Sequence, residues 1–133
     1  MGSNRRTVVI AEDHDDQRAL FALACEREGF DVLEASNGHE LVELLRTQHD
    51  RGWLPEVVLV ISDIMMPGLT GLDAREALAR DGVEVPFLFV SAASDPETRS
   101  RALVLPSLGL LEKPFEIETL RRFLRERTLR PDG

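Results

Sequence analysis

Asp63 is the residue on which chemistry can be hung. It follows Val57-Val58-Leu59-Val60-Ile61 and Ser62, and precedes a loop marked by Pro67-Gly68 and Gly71. The unbroken apolar, β-branched run from Val57 to Ile61 suits a strand buried on both faces, as in the middle of a parallel sheet. A carboxylate at the C-terminal end of such a strand lies where open α/β sheets bind ligands. The plain alternative is that Asp63 is only a turn or capping acid.

Three other places carry reactive types. Thr7 to Ala11 reads as a first strand running into Glu12-Asp13-His14-Asp15-Asp16, four acids in five residues. Acids at a helix start complement its dipole, which accounts for Asp15 or Asp16 but less well for Glu12 and Asp13, which belong to the strand end. Ser91 closes an apolar run from Pro86 to Val90, and Lys113 follows a weaker one from Leu108 to Glu112. Two like charges about 4 Å apart repel by roughly 4 kcal/mol at an effective dielectric near 20. Clustered Glu12, Asp13 and Asp63 therefore need cations. Lys113 is one, and Mg²⁺, with its preference for a few carboxylates, waters and phosphate oxygens, is the metal that fits. A carboxylate beside Mg²⁺, a lysine and a hydroxyl is a plausible phosphoryl acceptor, since such chemistry needs mostly positioning and charge neutralisation. Ser91 could donate to a phosphate oxygen or merely lead into a helix. Lys113 could be a solvated loop charge, although Pro114 after it restricts the chain.

The elements that must position these residues follow by pattern. Leu20, Leu23 and Ala24 at i, i+3, i+4 predict an amphipathic helix ending near Gly29. Asp31 to Ala35 is a second strand, and Asn37-Gly38 a turn. Leu41, Leu44 and Leu45 mark a helix to about His49. Residues 50–55 read as a loop whose Trp53 covers the sheet edge. Leu72 to Arg80 is an Ala-rich helix stopped by Asp81-Gly82. Asp95 with Pro96, or Ser94 with Glu97, starts a short helix that stops before Pro106. Ile117, Leu120 and Leu124 share one face of a last helix that frays near Pro131. Five strands alternating with five helices imply an α/β, doubly wound (βα)5 parallel sheet, flavodoxin-like, with the common strand order 2-1-3-4-5. In that order Glu12, Asp13, Asp63, Ser91 and Lys113 leave the same edge of the sheet.

The 133 residues fit one domain, with 43% hydrophobic and 30% charged residues as in soluble globular proteins. The net charge of −8 argues against direct nucleic-acid binding. No stretch reaches membrane-spanning length and no signal peptide opens the sequence. Met1-Gly2-Ser3 resembles a cloning scar, so residues 1–6 are read as an extension, 7–130 as the domain and 131–133 as a tail. The lone Cys25 fits a reducing cytoplasm and a buried, inert thiol. His14, His39 and His49 lack metal-ligand spacing with one another or with Cys25.

Glu12-Asp13, Asp63 within Ser-Asp-Ile-Met-Met-Pro-Gly, Ser91-Ala92 and Lys113-Pro114-Phe115 together resemble the receiver domain of bacterial two-component response regulators, over nearly the whole chain. The resemblance implies that Asp63 takes a phosphoryl group from the phosphohistidine of a histidine kinase or histidine phosphotransfer protein. It implies Mg²⁺ bound by Asp13, Asp63 and the backbone carbonyl of Met65, with Glu12 acting mainly through a water. Ser91 and Lys113 would contact phosphoryl oxygens, and Lys113-Pro114 would be cis. Such a domain is a regulator, not an enzyme, that supports its own phosphorylation and slow autodephosphorylation. It would be cytoplasmic, a monomer or weak homodimer, read by a partner on the face of the fourth helix, fifth strand and fifth helix.

Three positions depart from the family pattern. Glu12 replaces the commoner aspartate, Leu110 stands where many members carry Tyr or Phe, and Pro106-Ser107 replaces a Gly-Ala pair. A phosphatase of the haloacid dehalogenase type needs a second acid two residues after Asp63, where Met65 stands. A flavin or dinucleotide binder lacks its Gly-x-Gly-x-x-Gly loop here. A receiver-like docking module that works without phosphorylation is the alternative, and the complete set of acids, lysine and hydroxyl argues against it.

Overall fold

The computed structural model describes residues 6–92, 95–104 and 107–129. The order is β1 (Thr7–Ala11), α1 (Asp15–Arg27), β2 (Asp31–Ala35), α2 (Gly38–Asp50), a 3₁₀ turn (Leu54–Glu56), β3 (Val57–Asp63), α3 (Gly71–Arg80), β4 (Phe87–Ser91), α4 (Pro96–Ala102), β5 (Ser107–Glu112) and α5 (Ile117–Leu129). All four strand pairings are parallel, in the order β2-β1-β3-β4-β5. The doubly wound flavodoxin-like sheet expected from the alternation is the fold observed.

Successive strand residues face opposite ways, and each face has its own core. Val9, Ala11, Val60, Phe87 and Phe89 pack with Leu41 and Leu45 of α2, Leu72 and Leu78 of α3 and Ala102 of α4. Val8, Ile10, Leu59, Ile61, Leu88 and Val90 pack with Phe21 and Cys25 of α1 and Leu120 and Leu124 of α5. Val9, Val60 and Phe89 are fully buried, which is why the central strands read as continuous apolar runs.

The helices begin where short polar side chains take up free amides. Asn37 accepts from the Glu40 amide, Thr70 from that of Asp73 and Asp95 from that of Thr98. Asp95 with Pro96 is thus the start of α4; the alternative cap Ser94 and the stop at Pro106 lie outside the described residues. His14 occupies the N-cap of α1 without a side-chain cap bond, and Asp15 and Asp16 lie in its first turn.

Several expectations are corrected. In α1 the buried residues are Phe21, Ala22, Ala24 and Cys25, whereas Leu20 and Leu23 are 48% and 45% exposed. The helix turns its Phe21 ring onto Phe115, with centroids 6.0 Å apart, and that larger surface sets its rotation. Trp53 covers the sheet edge only in part. It is 46% exposed, with the Arg51 guanidinium 5.1 Å from the centroid of its ring. Strand β4 includes Ser91 and β5 begins at Ser107, one residue beyond and one before the expected limits. No helix among the described residues is long and apolar enough to cross a membrane.

Candidate functional site

Four strand ends converge at the C-terminal edge of the sheet. Asp63 is the last residue of β3 and Ser91 of β4, while Glu12-Asp13 and Lys113 directly follow β1 and β5. Glu12 and Ser91 are wholly buried and Asp63 nearly so. Lys113 joins them: its Nζ is 2.9 Å from Asp63 Oδ2 and 3.2 Å from Glu12 Oε1, and it donates to Gln17 Oε1 at 2.7 Å. The Lys113 amide donates to the Ser91 carbonyl at 2.7 Å, so the lysine is held from its backbone as well. The Lys113–Pro114 peptide bond is cis.

Each acid has its own environment. Oδ1 of Asp63 accepts the Met65 amide at 3.0 Å. Burial pushes the Asp63 carboxyl above the ordinary aspartate range, and the nearby Glu12 charge adds to it, against the pull of Lys113 and the Met65 amide. Glu12 also suffers from burial, but its bonds from the His14 amide and ring and from Lys113 outweigh that, leaving its pKa below the usual glutamate value. Burial opposes the charge on Lys113 too, yet Asp63 and Glu12 raise its pKa above the normal lysine value. The trio is thus one buried charge network with a single cation for two acids.

Asp13 is different. Its Oδ1 is buried and accepts no hydrogen bond among the described residues, with His14 Nδ1 3.5 Å away. Glu12, Asp13 and His14 offer ligand atoms that all lie within 4.8 Å of one another. An orphaned carboxylate oxygen beside a second acid, next to a site with excess negative charge, suits a hard dication with oxygen ligands. Asp63 is outside that group and reaches Glu12 through Lys113. The side chain of Met65 is 65% exposed, and it is the backbone of this residue that meets Asp63.

The loop after β3 is held closed at its base. Gly71 N donates to the Ile64 carbonyl at 2.9 Å and Ile64 N to that of Val90 at 3.0 Å. A Cβ on Gly71 would collide with the Asp63 carbonyl oxygen and come within 2.7 Å of Ser62 Oγ. Glycine is what lets α3 start directly against the strand that carries Asp63.

Two residues of this site escape a reading by pattern. Gln17 lies one helical turn into α1 and takes the third proton of Lys113. Arg18 donates Nη1 to the Glu12 carbonyl at 2.9 Å and pairs with Asp15 and Glu34, pinning the acidic turn from outside. The acids Asp15 and Glu34 nearby were visible in the sequence; that they share one arginine was not.

The parallel sheet with an acid–lysine cluster at its carboxyl edge defines a doubly wound α/β domain with a charged site where such sheets bind ligands. The chain matches the response regulator receiver domain over residues 8–125, and it belongs to that family. It is 31% identical over 113 residues to the uncharacterized transcriptional regulatory protein YrkP of Bacillus subtilis, covering 85% of this chain and 45% of that one. It is 30% identical over 118 residues to the autoinducer 1 sensor kinase/phosphatase LuxN of Vibrio harveyi, covering 89% of this chain and 13% of LuxN. The chain thus spans less than half the length of these relatives. Among solved structures, the receiver domain of the Francisella response regulator 1452 superposes with a TM-score of 0.76 at 26% identity, over 93% of this chain and 99% of that one. The chemotaxis response regulator CheY4 of Vibrio cholerae gives 0.74 at 26% identity, over 95% and 100%.

Proposed function

We propose that this receiver domain accepts a phosphoryl group on Asp63 from the phosphohistidine of a histidine kinase or histidine phosphotransfer protein. The observation that carries this reading is the buried Asp63 bonded through Oδ2 to Lys113. The carboxylate oxygen attacks phosphorus, the phosphorus–nitrogen bond breaks, and the electron pair leaves with the imidazole. Lys113, already beside Asp63, neutralises charge on the phosphoryl oxygens, and Ser91 at the end of β4 supplies a hydroxyl donor to one of them. Asp13, Asp63 and the Met65 carbonyl would hold Mg²⁺, with Glu12 acting through a water. The metal supplies further charge neutralisation for the transferring group.

Output is placed on the face of α4, β5 and α5. Leu103, Val104 and Leu108 are 53%, 57% and 37% exposed there, a concentration of apolar surface suited to a partner or a weak homodimer. Leu110 is partly buried against the core that contains Phe89 and Ala102. It replaces a rotating aromatic, so coupling runs through the packing of α4. The domain acts as a regulator, with slow loss of its own phosphoryl group, in a cytoplasmic setting.

Incubation with acetyl phosphate and Mg²⁺ followed by intact-mass measurement tests the assignment. One phosphoryl group is expected on the wild-type chain and none on Asp63→Asn or in the presence of a chelator. Equal gains in all three would reject Asp63 as the acceptor, and no gain in any of them would leave a docking module as the better reading.

A further inference from the structure

Arg75 is a buried arginine in the middle of α3, outside the site motifs. Its Nη1 donates to the Val104 carbonyl at 3.1 Å and its Nη2 to the Arg101 carbonyl at 2.9 Å. The guanidinium carbon lies 5.1 Å from the centroid of the Phe89 ring, a cation–π contact with β4. One side chain therefore ties together α3, β4 and the end of α4.

Burial works against this cation and holds its pKa below the ordinary arginine value, with Arg101 adding to the effect and Glu76 opposing it. The carbonyls it meets are at the C-terminal end of α4, where backbone acceptors lack partners within the helix. The contact gives the buried Arg75 donors their acceptors, and it adds a second donor to the Arg101 carbonyl, which also accepts the Val104 amide. A second arginine reinforces it, because Arg101 reaches back to Glu76 at 2.9 Å and Asp73 at 3.3 Å on α3. The opposite end of α4 is held differently. It begins at the Asp95 cap, four residues after Ser91, the hydroxyl assigned to the phosphoryl group. Arg99, in the middle of the helix, pairs with Glu112 of β5.

We propose that Arg75 is the anchor of α4, fixing its C-terminal turn to α3 and β4 so that the helix responds to the site at its N-terminal end. The proposal rests on the reading that phosphorylation of Asp63 acts through α4. Arg75 is a positioning residue: it touches no reacting atom, and it sets which end of the output helix is free to move. Two donors and a ring stack from one planar group are geometry that lysine cannot reproduce.

The test is amide hydrogen exchange of the resting protein, with Arg75→Met and Arg75→Lys as variants. The Leu103 amide donates to the Arg99 and Ser100 carbonyls and the Val104 amide to that of Arg101, so both report on this turn. Exchange at these two amides should rise roughly tenfold or more in Arg75→Met, with Val9 and Val60 of the sheet unchanged. Arg75→Lys should give a smaller rise in the same direction, and it serves alone if the Met variant does not fold. Rates within twofold of wild type at both amides would overturn the anchor. Beryllofluoride with Mg²⁺, a stand-in for the phosphoryl group, separates this from the underlying reading. If the Asp63 amide shifts and all of α4 is silent, the output assignment fails while the exchange contrast stands. If α4 shifts, the larger changes should fall at Asp95 to Thr98, and larger changes at Arg101 to Val104 would overturn the anchor.

Discussion

The acid end of the sheet and the α4–β5 side are built on opposite plans. Around Asp63 the polar groups are tied to one another: Lys113 bridges two acids, Gln17 holds Lys113, and Arg18 holds the Glu12 carbonyl. On the α4–β5 side the helix has seven residues with only Ala102 buried, and β5 has no fully buried side chain. The first region keeps its charged groups in register. The second has little apolar burial holding it and can change its packing at small cost. A switch needs both: a fixed place to receive charge and a weakly held element to report it.

Stability measurements can break that comparison directly. Leu120 is fully buried in α5 against the core shared with Ile10 and Ile61. Replacing it by Ala should cost about 2–5 kcal/mol in urea unfolding. Leu103→Ser, on the exposed side of the α4 end, should change stability by no more than about 0.5 kcal/mol. Similar losses for the two would mean that the α4–β5 side is as tightly built as the rest.

Gly71→Ala sharpens the point for the loop next to Asp63. The added methyl meets main chain, which cannot swing away, so a loss of about 1–3 kcal/mol is expected. Acetyl phosphate labelling should fall with it, because the collision is with the carbonyl of Asp63 itself. Destabilisation with unchanged labelling would show that the loop and the carboxylate move independently.

The smaller effects concern pH. The folded Asp63 carboxyl titrates above its unfolded value of 3.8, so the folded state binds the extra proton and this group's contribution to stability falls as pH rises through that window. Glu12 acts in the other sense: its contribution is present above 4.5 and is lost as pH falls through its depressed folded value. Because transfer needs the carboxylate, phosphoryl uptake should fail on acidification earlier than for a free aspartate. In Lys113→Ala the attraction that lowers the Asp63 pKa is gone, so the Asp63 titration, followed by carboxyl ¹³C shifts, should move further up. An unmoved midpoint would mean that Lys113 does not face Asp63 in solution.

What was legible in the sequence was whatever is encoded locally. Runs such as Val57 to Ile61 are apolar and β-branched enough to read as buried strand, and five strands alternating with five helices point to one common sheet order. The acids, the lysine and the serine follow those strands, so their convergence came with the topology. The rotation of α1 was not legible, because Leu20 to Cys25 is apolar on every side and periodicity cannot choose among faces. Stacking of Phe21 on Phe115 chooses, and that contact spans most of the chain. Nothing in the Ala-rich pattern of α3 marks Arg75 as buried. Only the placement of Phe89 and the end of α4 around it reveals a buried cation. Cys25, read as an inert thiol, is fully buried, with its pKa pushed up to about 12 by burial.

Gly109, in the middle of β5, has a φ of +140°, and the pairing of β4 with β5 slips in register between Phe87 and Leu88. Since β5 is the last strand of the sheet, its outer edge, bent at Gly109, is what a neighbouring molecule would meet. A glycine in that conformation interrupts the regular row of donors and acceptors on which another strand could template itself. Leu108, Leu110 and Leu111 are therefore carried on an edge poorly suited to strand addition. Any association through this side would be steered toward side-chain packing, which is reversible, and away from the open-ended sheet growth that leads to fibres.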